Sequence, residues 1–226
     1  PLDLAQPLLS PLYYITRALE PFADLVQAES ADLATSVPAM VRGNPSVIVL
    51  ADIGVLPAAA ETALTSYVEA GGTLLRFAGP RLAASTADDQ LVPVRLRGGE
   101  RQLGGALSWS EPQALAPMAD DSPFADIAIP GDVTVTRQIL AEPSVELADR
   151  TWASLADGTP IVTAATRGAG RIILFHTTAE ATWSNLPISG AFVDMLRRIV
   201  MLSRAGTAAA ASDARAASYP PYLMLD

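Results

Sequence analysis

The sequence predicts an α/β domain built on a mostly parallel sheet flanked by helices, and three observations carry that expectation. Val47-Ile48-Val49-Leu50 is an unbroken apolar run ending at Asp52 and Gly54, the pattern of a strand buried on both faces. Pro57 then opens a stretch in which Ala60, Ala63, Leu64, Tyr67 and Val68 recur at helical spacing until Gly71-Gly72 stops it. Thr73-Leu74-Leu75-Arg76-Phe77 follows as a second strand. Strand, helix and strand within about 30 residues form a βαβ unit, and its right-handed crossover leaves the two strands parallel.

The remaining elements follow from local signals. Ser10-Pro11 caps a helix carrying Leu12, Ile15 and Leu19, which Pro21 ends. A short strand over 22–26 and a short helix over 32–41 come next. From about 82 to 150 the pattern changes to alternating runs at 91–96, 106–109 and 133–139, separated by Gly, Pro and Asp clusters, which reads as a β-rich insertion. Runs at 161–166 and 171–175 flank Arg167-Gly168-Ala169-Gly170, a hairpin with a glycine turn rather than a phosphate loop. Ser189 caps a last helix whose Phe192, Met195, Leu196, Ile199 and Val200 share one face, so that stripe is expected on the sheet. Beyond Gly206 the chain falls to Ala and Ser until Tyr219-Pro220-Pro221-Tyr222. The expected organisation is one α/β domain over 1–205, interrupted by the insertion, and an Ala/Ser-rich linker or tail over 206–226.

Composition bounds the function. With 226 residues, half of them hydrophobic and 17% charged, the chain can bury a substantial core. Its best apolar stretch, 47–60, is interrupted by Asp52, Gly54 and Pro57, so this chain is not expected to insert into a membrane. It begins at Pro1 with an Ala/Leu/Pro-rich segment and no signal-like pattern, as a soluble domain excised from a longer protein would. A net charge of −9 excludes nucleic acid and anionic lipid as primary partners, because both require clustered cations. The absence of cysteine removes disulfides, thiolate nucleophiles and thiolate metal sites, and leaves the compartment open.

Two segments carry a family resemblance. Tyr67-Val68-Glu69-Ala70-Gly71-Gly72-Thr73-Leu74-Leu75, with Phe77-Ala78-Gly79-Pro80 after it, resembles the helix, glycine pair, strand and elbow of class I glutamine amidotransferase-like domains. Gly170-Arg171-Ile172-Ile173-Leu174-Phe175-His176, with Glu180 nearby, resembles the strand that delivers their catalytic His and Glu. The resemblance implies a flavodoxin-like fold. More narrowly, Phe77-Ala78-Gly79-Pro80-Arg81-Leu82, Trp183-Ser184-Asn185-Leu186-Pro187 and Phe192-Val193-Asp194-Met195-Leu196-Arg197-Arg198 are similar to a domain of large bacterial membrane proteins. Those proteins carry an N-terminal double-transmembrane region akin to the aerotolerance Bat proteins and a C-terminal domain of unknown function.

The departures are chemical. An amidotransferase elbow presents a Cys whose thiolate attacks the amide, and the segment around Ala78-Gly79-Pro80 holds neither Cys nor Ser. The family spaces its His and Glu two residues apart, whereas His176 and Glu180 are four apart. Glutaminase chemistry by the family mechanism is thereby excluded.

His176 and Glu180 remain the catalytic candidates. The only histidine sits at the expected C-terminal end of a strand, where open α/β sheets place ligands. As a proton shuttle it needs Glu180 to orient it and a hydroxyl such as Ser184 or Thr178 to activate; the competing reading is a hydrogen-bonded structural histidine. Asp52 either lines the crevice at the strand ends or caps the helix opened by Pro57. Gly79 and Arg81 at the elbow join it as ligand-binding candidates. Trp183 is either a ligand-stacking aromatic or a cover for the sheet edge. No metal or cofactor is expected, since one His without Cys would leave a site built from carboxylates, and Asp88-Asp89 and Asp120-Asp121 are adjacent pairs in loops.

The functional expectation is a non-catalytic binding or scaffolding domain of a larger membrane-anchored bacterial protein, its partner another protein or other domains of the same chain. The alternative is a hydrolase or carbohydrate-active relative using His176 and Glu180 without a Cys nucleophile.

Overall fold

Successive side chains leave a strand on opposite faces, so a strand that is apolar throughout needs cover on both. The computed structural model describes residues 11–28, 30–85, 91–103, 111–213 and 222–225. In chain order its first elements are α1 (Pro11–Leu19), β1 (Asp24–Gln27), α2 (Leu33–Arg42), β2 (Val47–Ala51), α3 (Ala58–Glu69), β3 (Thr73–Phe77) and α4 (Pro80–Ala84). The short strands β4 (Arg101–Gln102), β5 (Gln113–Ala114), β6 (Thr134–Val135) and β7 (Arg137–Gln138) follow. The chain then runs through α5 (Leu147–Arg150), β8 (Thr151–Ser154), β9 (Pro160–Arg167), β10 (Gly170–Phe175), α6 (Gly190–Asp213) and β11 (Tyr222–Leu225).

Seven of these strands form one sheet in the order β1-β11-β2-β3-β10-β9-β8. The first five are mutually parallel, and β9 and β8 extend the sheet antiparallel. The expected βαβ unit is β2-α3-β3, with Val47 in register with Thr73. Alternation then sorts the core. Val47, Val49, Leu75, Phe77, Ile173 and Phe175 face α1 and α6, where Phe192, Met195, Leu196 and Ile199 supply the stripe anticipated for the last helix. Ile48, Leu50, Leu74 and Ile172 face the opposite layer, formed by Val37 of α2 and Ala60, Leu64, Tyr67 and Val68 of α3. Phe77 stacks on Phe175 with ring centroids 4.8 Å apart.

The glycines of the family-like motif have a steric basis. A Cβ on Gly72 would lie 2.3 Å from the Tyr67 ring, and one on Gly170 would lie 2.1 Å from the Val68 carbonyl oxygen. Their absence lets α3 end against the start of β3 and β10. The buried Tyr67 hydroxyl donates to Pro45 O at 3.1 Å and accepts from the Thr73 amide at 3.2 Å, which ties the helix end to both strands.

Several expectations are corrected. The strand expected at 22–26 begins at Asp24, because Phe22 and Ala23 still bond back to the Leu19 carbonyl. Within the stretch expected to be a linker, α6 continues to Asp213 and Tyr222–Leu225 pairs with both β1 and β2. Alanine is the strongest helix former, so an Ala-rich extension of an existing helix propagates it. Among the described residues the strands of the insertion are only two residues long, with turns and bridges between them, and it closes on the short helix α5. Its Pro and Gly density breaks ladders. Ser10, the run at 106–109, Asp88-Asp89 and Tyr219-Pro220-Pro221 lie outside the described residues. Among the described residues, no helix is long and apolar enough to cross a membrane.

Candidate functional site

The C-terminal ends of β2, β3 and β10 are where this architecture places ligands. Asp52, Ala78 and His176 follow these strands directly, and their backbones continue the ladder: Asp52 N donates to Phe77 O at 2.9 Å and Ala78 N to Phe175 O at 2.8 Å. Over these ends lies an apolar plug of Ala78, Leu82, Ile139, Leu174 and Trp183.

His176 is fully buried and has both ring nitrogens engaged. Nδ1 stands 2.8 Å from the Ile139 carbonyl oxygen, which can only accept, so Nδ1 carries the proton. Nε2 is therefore the acceptor for the Thr163 hydroxyl at 2.9 Å. Burial lowers the imidazole pKa to about 4, although its bond to Ile139 works in the opposite direction. The backbone repeats the connection, since Ile139 N donates to His176 O at 2.8 Å. A residue from the insertion thus bonds His176 in both directions. Thr163 occupies the position of a nucleophile on the base, but it is fully buried in β9 and no substrate can reach it.

The other candidates do not assemble around His176. Glu180 is half-buried and accepts a hydrogen bond from Thr182 Oγ1 at 2.6 Å; among the described residues no hydrogen bond or ion pair joins it to His176. Ser184 Oγ donates to Thr134 O at 3.1 Å and accepts from Leu186 N at 2.9 Å, a turn role rather than a reactive one. Thr178 is buried, and its hydroxyl has no partner. Trp183 is 2% exposed in the plug, and its carbonyl accepts from Thr136 N at 2.8 Å and Arg137 N at 3.1 Å. It is therefore a core residue, corrected from a ligand-stacking candidate.

Asp52, Gly79 and Arg81 do come together, for a structural purpose. The Asp52 carboxylate accepts from the Arg81 amide at 3.1 Å and the Leu82 amide at 3.0 Å. It caps the first turn of α4, not the Pro57 helix, from a backbone position with a φ of +54°. Burial raises its pKa, while the amides of Leu82 and Arg81 and the Arg81 charge pull it back. A Cβ on Gly79 would meet this carboxylate at 2.5 Å, which fixes glycine there. Arg81 itself is exposed.

Sequence reasoning misses Arg76. Its side chain is 1% exposed in β3 and donates to Leu91 O at 3.3 Å and Ile53 O at 2.5 Å, joining the insertion to the loop after β2. A single cation breaking the apolar run at 73–77 is the available signal.

No family model matches the chain, and no curated protein matches it. Among solved structures it is similar to a cytoplasmic protein from Salmonella typhimurium, with a TM-score of 0.66, 14% identity, and coverage of 83% of this chain and 85% of that one. A second cytoplasmic protein, from Salmonella typhimurium LT2, gives a TM-score of 0.55, 14% identity, and coverage of 86% and 85%. At these identities the likeness concerns the fold alone: a mixed α/β architecture with a mostly parallel sheet.

Proposed function

We propose that this chain is a non-catalytic binding or scaffolding domain of the amidotransferase-like, flavodoxin-like type. The fold assignment is supported by the spatial order of the parallel strands. Position by position, β1-β11-β2-β3-β10 matches the 2-1-3-4-5 arrangement of flavodoxin-like sheets, with β11 in the place of the first strand. The non-catalytic reading rests on one observation: the only histidine is fully buried, with its two nitrogens held by Thr163 and Ile139. A general base needs a free nitrogen within reach of a substrate proton. The resemblance to domains of membrane-anchored bacterial proteins supports placing its partners in such an assembly, either in the same chain or in a neighbouring protein.

The test is a turnover panel covering glutamine, p-nitrophenyl esters and p-nitrophenyl glycosides, comparing the protein with its H176L variant. The expected result is no hydrolysis above that of the variant. Turnover that disappears in a folded H176L protein overturns the reading. Cross-linking in the membrane fraction of the host tests the partner: cross-links to another protein or domain are expected, and their absence counts against a scaffolding role.

A further inference from the structure

Arg171 precedes Ile173 by two residues in β10, so its side chain leaves on the α1 and α6 face of the sheet. Its register partner on β9 is Thr166, two residues beyond Ala164 on that strand. On β8, Trp152 lies at a register shift between Thr151 and Ala153, an irregularity that re-aims a side chain. The indole packs on the same core layer and meets Phe124 edge to face, with ring centroids 5.5 Å apart. The small residues of β9 between Trp152 and Arg171 leave a pocket of about 320 Å³, and Asp149 and Arg150 of α5 complete its described walls.

Two charges in and around this pocket are already committed. Arg150 pairs with Glu146 and donates to Pro93 O at 2.7 Å. Arg167, next to Thr166, pairs with Glu69 of α3 on the opposite layer. Arg171 is half-buried, yet among the described residues its guanidinium has no hydrogen bond or ion pair, and the same holds for the exposed Asp149 carboxylate. A half-buried guanidinium with its donors unused favours a carboxylate, which it grips through two parallel bonds. A plain anion is disfavoured, because Asp149 shares the wall and the chain carries a net charge of −9. A ligand carrying both charges satisfies both groups.

We propose that this pocket binds a free α-amino acid with an aromatic side chain, its carboxylate on Arg171, its ammonium on Asp149 and its ring against Trp152. Trp152 and Ala164 supply the apolar wall, and Thr166 adds a hydroxyl beside the carboxylate. The volume lies at the small end of the roughly 300–1,000 Å³ typical of small-molecule sites, as a single amino acid requires. Asp149 and Trp152 also border a neighbouring groove of about 790 Å³ that has no cation among its described lining residues, so Arg171 decides which side takes the carboxylate. The site lies at the start of β10, at the other end of the strand from His176 and Ile139, and is independent of the scaffolding role.

Isothermal titration calorimetry with L-phenylalanine tests the proposal, with 3-phenylpropanoate and 2-phenylethylamine as probes that each lack one charge. Saturable binding of L-phenylalanine is expected, weakened about tenfold or more by loss of either charge and by R171Q. D149N is expected to weaken L-phenylalanine by a similar factor and to leave 3-phenylpropanoate no weaker. Neither substitution removes a bond within the described structure, and circular dichroism of both variants verifies the fold. Absence of saturable L-phenylalanine binding overturns the proposal. Binding of 3-phenylpropanoate as tight as that of L-phenylalanine overturns it in favour of a simple anion site, and binding indifferent to R171Q overturns it by placing the ligand elsewhere. The turnover panel and the partner cross-links are unaffected by each of these results.

Discussion

Replacing His176 by Leu removes both hydrogen bonds of a fully buried imidazole at nearly constant bulk. The Thr163 hydroxyl and the Ile139 carbonyl are then left buried, and each orphaned group costs about 1–3 kcal/mol. A total near 3 kcal/mol corresponds to a fall in Tm of about 6–12 °C for a domain of this size. The loss has a pH signature. The folded protein keeps His176 neutral down to about pH 4, while the unfolded chain takes up a proton near pH 6.5. Between those values the unfolded state binds more protons, so wild-type stability declines as pH falls, by roughly 1.4 kcal/mol per unit. H176L lacks this component. Urea titrations of both proteins at pH 7.5, 6.5, 5.5 and 5.0 should therefore show the wild-type advantage shrinking below pH 6.5. The sequence has one histidine and every carboxyl is common to both proteins, so the difference between them isolates this group. An advantage that stays constant from pH 7.5 to 5.0 refutes the buried neutral imidazole.

Other substitutions follow from the same geometry. D52A removes the α4 cap and places Ala at positive φ, so a loss of about 1–2 kcal/mol is expected by urea denaturation. D52N retains the acceptor, tolerates that φ and eliminates a carboxyl whose pKa burial has raised, and should be near neutral. G170A drives a methyl into two carbonyl oxygens and should cost about 3 kcal/mol or more, while G131A, with open space around it, should leave Tm unchanged in differential scanning fluorimetry. Y67F removes the buried hydroxyl between Pro45 and Thr73 and should lower stability by about 1–2 kcal/mol in the same urea series.

The parts of this fold that are legible in the sequence are those whose signal is local. Val47-Ile48-Val49-Leu50 announces a doubly covered strand by composition, and the Tyr67 to Gly72 spacing announces a helix end because the glycine is required by the residue that packs on it. β11 is not legible: four residues are too few to establish a period, and the slot they fill is defined by β1 and β2, about 200 and 175 residues earlier. The insertion resists reading for a related reason. Its order comes from distant residues, with the Thr136 and Arg137 amides donating to the Trp183 carbonyl and the Thr134 amide donating to the Asn185 side-chain oxygen at 2.7 Å.

The candidate site divides in the same way. Asp52, Gly79 and Arg81 each follow a predicted strand closely enough to mark them as residues of the strand ends, but the bond that decides their role reaches across 29 residues, from the Arg81 amide to the Asp52 carboxylate. His176 stands out by type and position, whereas its burial depends on Ile139, 37 residues away in the least regular part of the chain. Sequence position places a histidine at a strand end; only packing reveals whether that end is open.

Whether the strand ends are sealed is read from the nitrogen spectrum of the single imidazole, recorded by 15N-labelled NMR from pH 8 to 5. One histidine gives one unambiguous pair of ring nitrogens. A neutral ring protonated at Nδ1, bonded to Ile139, is expected, with little titration above pH 5. A ring that titrates near pH 6.5, or one protonated at Nε2, contradicts the sealed strand ends and reopens His176 as a base.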